Sequence, residues 1–203
     1  MNISLKSIAM LVVIASINLS SSASVNPHIY IDQQAQKMVS VITENEDLYS
    51  QDPDLFISKI NYIFEPMVDF RRVGASVMGK KYYLAATKEQ RIEFIEAFKS
   101  SLLNTYSSTL AQWGDQKIET IFPDEANYTK VVDVQQNLIT SSNIYPITYK
   151  VRNDGSGNWL IINIIVNGVN LGLTFRNQFQ ALATEYSENI DLIIQNWTSD
   201  ANL

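Results

Sequence analysis

The stretch from Trp159 to Phe179, WLIINIIVNGVNLGLTFRNQF, restricts the fold more than any other part of the chain. It begins as a strand. Trp159, Ile161 and Ile165 fall on one side, and Leu160, Ile162, Ile164 and Val166 on the other, because strand side chains alternate with period two. Large apolar groups on both sides predict a strand covered on both faces. Gly168 then breaks the run, at a point where positive φ or a close backbone approach is useful. Leu171, Leu173, Phe175 and Phe179 follow with the spacing of a helix. The expectation is a sheet with helices on one side and further apolar material on the other.

Upstream, the pattern is helical. Ala35, Met38, Val39 and Ile42 share a face within 26–47, and Asp32 is placed to cap an early turn. Asp52-Pro53 restarts the chain as a cap followed by proline in the first turn. Phe56, Ile60, Ile63 and Phe64 line the helix that follows, and Glu65-Pro66 ends or kinks it. Residues 66–84 read as short helical pieces punctuated by Gly74 and Gly79. Thr87 and Gln90 have capping-box spacing and open the longest helix. Phe94, Phe98, Leu102, Tyr106 and Leu110 recur along it every four residues as one apolar stripe.

Beyond Gly114 the period changes. Ile118 to Phe122, Tyr128 to Ile139 and Ile144 to Asn153 read as strands, and Asp154-Gly155-Ser156-Gly157 as a tight hairpin loop into Trp159. Two helical stretches close the chain, the second with Ile190, Ile193, Ile194 and Trp197 on one face. Helices, then an antiparallel meander, then helices is an α+β layout, with helices packed on one face of a sheet.

Composition removes several functions. The 203 residues include no cysteine and one histidine. Disulfides, thiolate nucleophiles and cysteine metal sites are therefore absent. His28 stands too near the expected mature terminus to hold a catalytic triad in register. Lys6, the apolar run Ile8 to Ile17 and the small residues Ser20 to Ser24 have the layout of a signal peptide over residues 1–24, leaving 25–203 as one exported, soluble domain. Without Lys6 the formal net charge goes from −6 to −7. An acidic mature chain argues against nucleic acid as a partner. No phosphate loop, HExxH or nucleophile elbow occurs, and no cofactor or metal is expected.

The aromatic residues on helix faces opposite the Trp159 strand fit a filled core, and by pattern alone that reading is favoured over a ligand cavity. A cone-shaped α+β fold can also hide an enzyme with a tyrosine and an aspartate in its cavity, and Asp69 with Tyr106 or Tyr149 is the version to test.

Two blocks carry a resemblance. The first is Val68-Asp69-Phe70, the step Val77-Met78-Gly79-Lys80, Tyr83, and the run from Thr87 through Gln90 to Phe94, Phe98, Leu102, Tyr106 and Leu110. The second is Trp159, Gly168-Val169, Leu171, Arg176 and Gln178-Phe179. In this order they resemble the MlaC-type periplasmic phospholipid-binding proteins, also called toluene-tolerance auxiliary proteins, over residues 30 to 195. The chain departs from that pattern at Asn163 and Asn167, where an acid is common, at Asn170, where a serine is common, and at Phe175, where a tyrosine is common.

The resemblance implies a nuclear-transport-factor-like cone, with a sheet of four or five strands and helices around an apolar cavity. It implies a non-enzymatic carrier in the periplasm that moves diacyl phospholipid between an outer-membrane lipoprotein–porin complex and an inner-membrane ABC transporter complex with its substrate-binding subunit, so maintaining outer-membrane lipid asymmetry. On that basis Phe94, Phe98, Leu102 and Tyr106 of the long helix are candidates for acyl-chain contact. So are Tyr149, Val151, Trp159, Ile161, Ile164, Val166 and Val169 of the sheet. Arg71, Arg72 and Arg176 are candidates for a headgroup or an acidic partner. Two other readings stay open from the sequence: a cone-fold isomerase or hydrolase using Asp69, and a structural adaptor with no cavity.

Overall fold

The computed structural model describes residues 26–124 and 128–199. The expected signal segment lies outside the described residues. The described residues form seven α-helices and a five-stranded antiparallel sheet, ordered β1-β2-β3-β4-β5 as in the sequence, and the α+β expectation holds.

Helix α1 spans Pro27–Thr43, and its cap is Asn26, whose side chain accepts from the backbone N–H of His28 and Ile29. Asp32 is not the cap. Its carboxylate accepts from the Thr120 hydroxyl at 2.8 Å, which ties α1 to the first strand. After a short helix, α2 (Leu48–Gln51), Asp52 caps α3 (Pro53–Phe64) by accepting from Leu55 N–H. A 3-10 turn at Glu65–Met67 follows, as the Glu65-Pro66 pair requires.

Val68 then makes a single parallel bridge to Ile161, and the N–H of Asp69 donates to the Ile161 carbonyl at 3.0 Å. Asp69 caps α4 (Phe70–Ala85) by accepting from Arg72 N–H. Gly79 breaks α4 into two pieces at φ +72°. This matches the short pieces expected from sequence, and a residue with a Cβ would be strained there. Helix α5 (Lys88–Leu110) opens with the full Thr87–Gln90 capping box.

Strands β1 (Lys117–Ile121), β2 (Val131–Ile139), β3 (Ile144–Asn153) and β4 (Trp159–Val166) form a meander. A turn through Asn167 and Gly168, both at positive φ, leads into the two-residue β5 (Val169–Asn170). Asn170 caps α6 (Leu171–Glu185), and α7 (Ile190–Gln195) completes the described elements.

The doubly covered strand is corrected by the structure. Val151 pairs with Ile161 and Lys150 with Asn163, so Ile162 is an extra residue in β4. A bulge of this kind shifts the phase of alternation. Trp159 and Ile161 before it, and Ile164 and Val166 after it, therefore share the inner face with Ile147, Tyr149 and Val151 of β3. Leu160, Ile162 and Ile165 are only half-buried, and none of the β2 to β4 residues alternating with the inner set is buried. All the buried side chains of β2 to β4 lie on the inner face.

The packed interior has two main parts. Phe70, Phe94, Phe98, Phe175, Phe179 and Trp197 form an aromatic cluster between α4, α5, α6 and the C-terminal segment. Val134, Val151, Trp159 and Ile161 of the sheet pack against Ile31, Ile63 and Met67. Between these parts the inner face of the sheet stands away from the helices.

Candidate functional site

That gap is a partly open cavity of about 370 Å³. Its walls come from α1, α3, α4, α5, α6 and the inner face of the sheet, and they are almost wholly apolar. Helix α1 contributes Ala35, Met38 and Val39, the helix face anticipated from its spacing. Helix α5 contributes Phe98, Leu102, Tyr106 and Leu110, successive positions of its stripe. The sheet contributes Ile147 and Tyr149 of β3 and Ile161, Ile164 and Val166 of β4. The bulge in β4 makes this joint contribution possible, because it brings Ile161 and Ile164 to the same side.

Seven of the eleven residues expected to meet an acyl chain line this cavity: Phe98, Leu102, Tyr106, Tyr149, Ile161, Ile164 and Val166. Four do not. Phe94 is turned into the aromatic cluster, 5.1 Å from both Phe179 and Trp197 between ring centroids. Val151 and Trp159 are buried in the packed end of the sheet with Ile31 and Met67. Val169 lies in β5, paired with Val166 beyond the turn.

The three arginines are not in the walls either. Arg71 and Arg72 are exposed, and Arg72 Nε donates to Asp69 at 3.3 Å. The guanidinium of Arg176 packs against Gly79 at the kink of α4, so close that an added Cβ there would stand 3.2 Å from it.

Asp69 is engaged as a helix cap and is no part of the cavity wall, which corrects the arrangement that an Asp69–tyrosine enzyme would need. Among the described lining residues there is no carboxylate, lysine, arginine or histidine. No metal-binding cluster of acidic or histidine side chains occurs among the described residues. His28 is buried against the rings of Phe122 and Tyr128, and burial lowers its pKa.

Polar groups in the wall are few. Asn163 Nδ2 donates to Asn170 Oδ1 at 3.0 Å, and Asn163 Oδ1 accepts from Gly172 N–H at 3.1 Å. One side chain therefore joins the bulged strand to the first turn of α6. An added Cβ on Gly172 would come within 2.6 Å of that oxygen, so glycine lets helix and strand close here. Tyr149 is half-buried at the cavity wall, and desolvation pushes its phenol up to about 12. Sequence reasoning missed Ile118, Leu138 and Ile147, which also line the cavity. Their alternation along β1, β2 and β3 was available as a signal, but only the strand register shows that they face the gap.

Comparison with known proteins places this architecture. The model of the MlaC protein family matches residues 32–199. The chain belongs to the MlaC family. It is 32% identical to the toluene tolerance protein ttg2D of Pseudomonas putida over 193 residues, 94% of this chain and 88% of that protein. It is 26% identical to the intermembrane phospholipid transport system binding protein MlaC of Haemophilus influenzae, covering 73% of this chain and 71% of that one. The solved structure of a phospholipid-binding protein from Ralstonia solanacearum, in complex with a phospholipid, superposes with a TM-score of 0.75 at 21% identity. That match spans 83% of this chain and 92% of the other. The two chains thus share one fold.

Proposed function

We propose that this protein is a soluble periplasmic carrier of diacyl phospholipid. The observation that carries the reading is the apolar cavity under the inner sheet face, in a chain of the MlaC family. Each methylene taken out of water gains about 0.8 kcal/mol. A cavity whose described wall residues include no ionisable group other than tyrosine suits hydrocarbon and little else. The phosphate headgroup stays at the opening, because an unpaired buried charge is costly.

In this reading Phe98, Leu102, Tyr106, Tyr149, Ile161, Ile164 and Val166 touch the acyl chains. Phe94, Val151 and Trp159 hold the walls in place from behind. Arg71, Arg72 and Arg176 serve the headgroup or an acidic partner surface from outside the cavity. Residues 1–24 direct export, and 25–203 form the lipid-binding domain. The carrier exchanges lipid with an outer-membrane lipoprotein–porin complex and an inner-membrane ABC transporter complex, without catalytic turnover. Unloading requires a partner that favours an opened state, since tight binding alone would retain the lipid.

Native mass spectrometry of the mature protein, purified without detergent and paired with lipid extraction, tests the proposal. The expected result is bound phospholipid of defined stoichiometry, lost in Leu102→Asp and Val166→Asp variants that keep their fold. A bare mass for the wild-type protein, with no uptake from phospholipid vesicles, would overturn it.

A further inference from the structure

The two ends of the sheet differ in charge. At the end closed by Val151 and Trp159, Lys150 pairs with Asp133 at 2.6 Å. Lys130, Arg152 and Asp154 belong to the same strand ends and turn. At the other end β2 finishes, β3 begins and β4 finishes. There Leu138, Ile147 and Val166 line the cavity. Leu138 and Val166 are only half-buried, so the cavity opens on this side. Charge is absent from this end of the three strands. From Val134 to Tyr149, and again from Gly155 to Phe175, the chain has no Asp, Glu, Lys, Arg or His, although 18% of its residues are charged.

Burial accounts for part of this pattern, because strand residues facing the cavity are apolar in any case. It does not account for the loops. Ser142, Asn143, Ile144, Asn167 and Leu173 are exposed to water, where charged residues are usual. These loops meet in one rim. Asn167 N–H donates to the Pro146 carbonyl at 2.8 Å, Val166 pairs with Ile147, and Leu173 N–H donates to Asn170 Oδ1 at 3.2 Å. Ile144 and Leu173 are large aliphatic groups left 61% and 57% exposed on it. Lys117, opposite Ile139 at the sheet edge, and Arg176, one turn beyond Leu173, mark its borders.

A lipid that leaves by this opening has to enter its acceptor without its chains meeting water. The surfaces that close around it must be dry, and every charge in them would lose its hydration on contact. A rim of serine, asparagine and aliphatic side chains avoids that cost. Such a rim does not suit a bilayer. Anionic membranes are held by lysine and arginine, and the rim has neither, in a chain whose net charge is −6. We propose that this uncharged rim is the face that docks on a lipid-exchanging protein partner, against a ring of that partner that is likewise uncharged and apolar. The inference rests on the carrier reading given above, and it adds where the carrier is met and by what chemistry.

Charge placed on the rim tests this. Ile144 and Leu173 are not cavity-lining residues, and an acid is tolerated in the first turn of α6, so Ile144→Asp and Leu173→Asp should fold and keep their lipid. Arg152→Glu, at the closed end of the sheet, is the control. Each protein is loaded with fluorescent phosphatidylethanolamine. Handover is timed to the inner-membrane transporter complex and to the outer-membrane complex, each purified in nanodiscs. The rim variants should hand lipid over about 10-fold more slowly to at least one complex, because docking would bury an unpaired carboxylate. Arg152→Glu should match the wild type, and wild-type handover should change little with salt. Unchanged handover to both complexes in both rim variants, a steep fall with salt, or loss of bound lipid from the rim variants overturns the inference and leaves the carrier reading in place. So does wild-type binding to phosphatidylethanolamine–phosphatidylglycerol vesicles, or a wild-type dimer in sedimentation, that the rim variants abolish. Either result would seat a bilayer or a second copy on the rim. A wild-type protein that takes up no lipid overturns the carrier reading and this inference together.

Discussion

Helix α5 carries one apolar stripe with two fates. Phe94 and Phe98 at its upstream end are almost fully buried, with ring centroids 5.1 to 6.1 Å from each other and from Phe175, Phe179 and Trp197. Leu102, Tyr106 and Leu110, further along the same stripe, are half-buried and border the cavity. The difference lies in what stands opposite. The upstream turns meet aromatic side chains from α6 and the C-terminal segment, which fill the space. The downstream turns share their surroundings with Ala35, Val39 and Gly172, which are too small to reach across. A core and a binding cavity can thus be written with the same helix pattern, and only the partner elements separate them.

Truncation should expose the contrast most strongly. Phe94→Ala removes a ring from a closed cluster and should cost about 3–5 kcal/mol of unfolding free energy. Leu102→Ala deletes atoms that already face a void, so fewer contacts are lost, and the cost should be about 1–2 kcal/mol. Urea denaturation of lipid-free protein measures both. Equal losses would mean that the cavity collapses in solution and the two halves of the stripe are alike.

Enlargement should reverse the ranking. Ala183 is fully buried in the aromatic cluster, and Ala183→Leu should destabilise by about 1–3 kcal/mol through overpacking. Leu102→Phe has room to turn into the cavity and should leave the melting temperature nearly unchanged. On the carrier reading it should also reduce the phospholipid that copurifies. A large loss of stability in Leu102→Phe would show that the cavity wall is as tightly fitted as the core.

Much of this architecture is legible in the sequence for physical reasons. The Thr87–Gln90 box, the Asp52-Pro53 start and the break at Gly79 are local, and local chemistry determines them. The meander follows from period-two segments with a turn between each pair. The bulge at Ile162 was not legible, because it depends on the pairing of β4 with β3, and it converted two apparent faces into one. Phe94 and Phe98 illustrate the same limit. They are one helical turn apart with the same side-chain type, yet Phe98 borders the cavity and Phe94 does not. Asp32 looked like a cap by type and position, but the Thr120 hydroxyl of a distant strand claims it.

The join between strand and helix in the cavity wall gives a smaller, coupled effect. Gly172→Ala should gain helix propensity, by less than the ~1 kcal/mol of a helix interior because Gly172 is in the first turn of α6, yet the new methyl would press on Asn163 Oδ1. The two effects oppose, so the single variant should be mildly destabilised. In Asn163→Ala/Gly172→Ala the obstruction is gone and the propensity gain remains. The double variant should then be more stable than the sum of the two singles predicts, by more than about 0.5 kcal/mol. Strict additivity would show that the contact between β4 and α6 does not hold the cavity wall closed.

The smallest effect concerns acid. His28 and Tyr149 are both ring side chains whose titration is shifted by burial, but in opposite regions: His28 is packed against Phe122 and Tyr128, and Tyr149 borders the void. Burial lowers the His28 pKa below its ordinary 6.5, so the unfolded chain takes up a proton at a higher pH than the folded one. Its contribution to stability is therefore complete above about pH 6.5 and declines as the pH falls below that value. His28→Phe keeps an aromatic ring against its neighbours and removes the titration. Between pH 7 and 5 the wild type should lose unfolding free energy relative to this variant, while the carboxylates they share titrate alike in both. Parallel curves would mean that water reaches the imidazole in the folded protein. The alkaline counterpart falls on Tyr149. Its raised pKa makes stability decline as pH rises from about 10 towards 12, since the unfolded chain releases the phenolic proton first. Filling the cavity with lipid should leave the acid limb where it is and shift only the alkaline one, because Tyr149 borders the space the lipid enters and His28 does not.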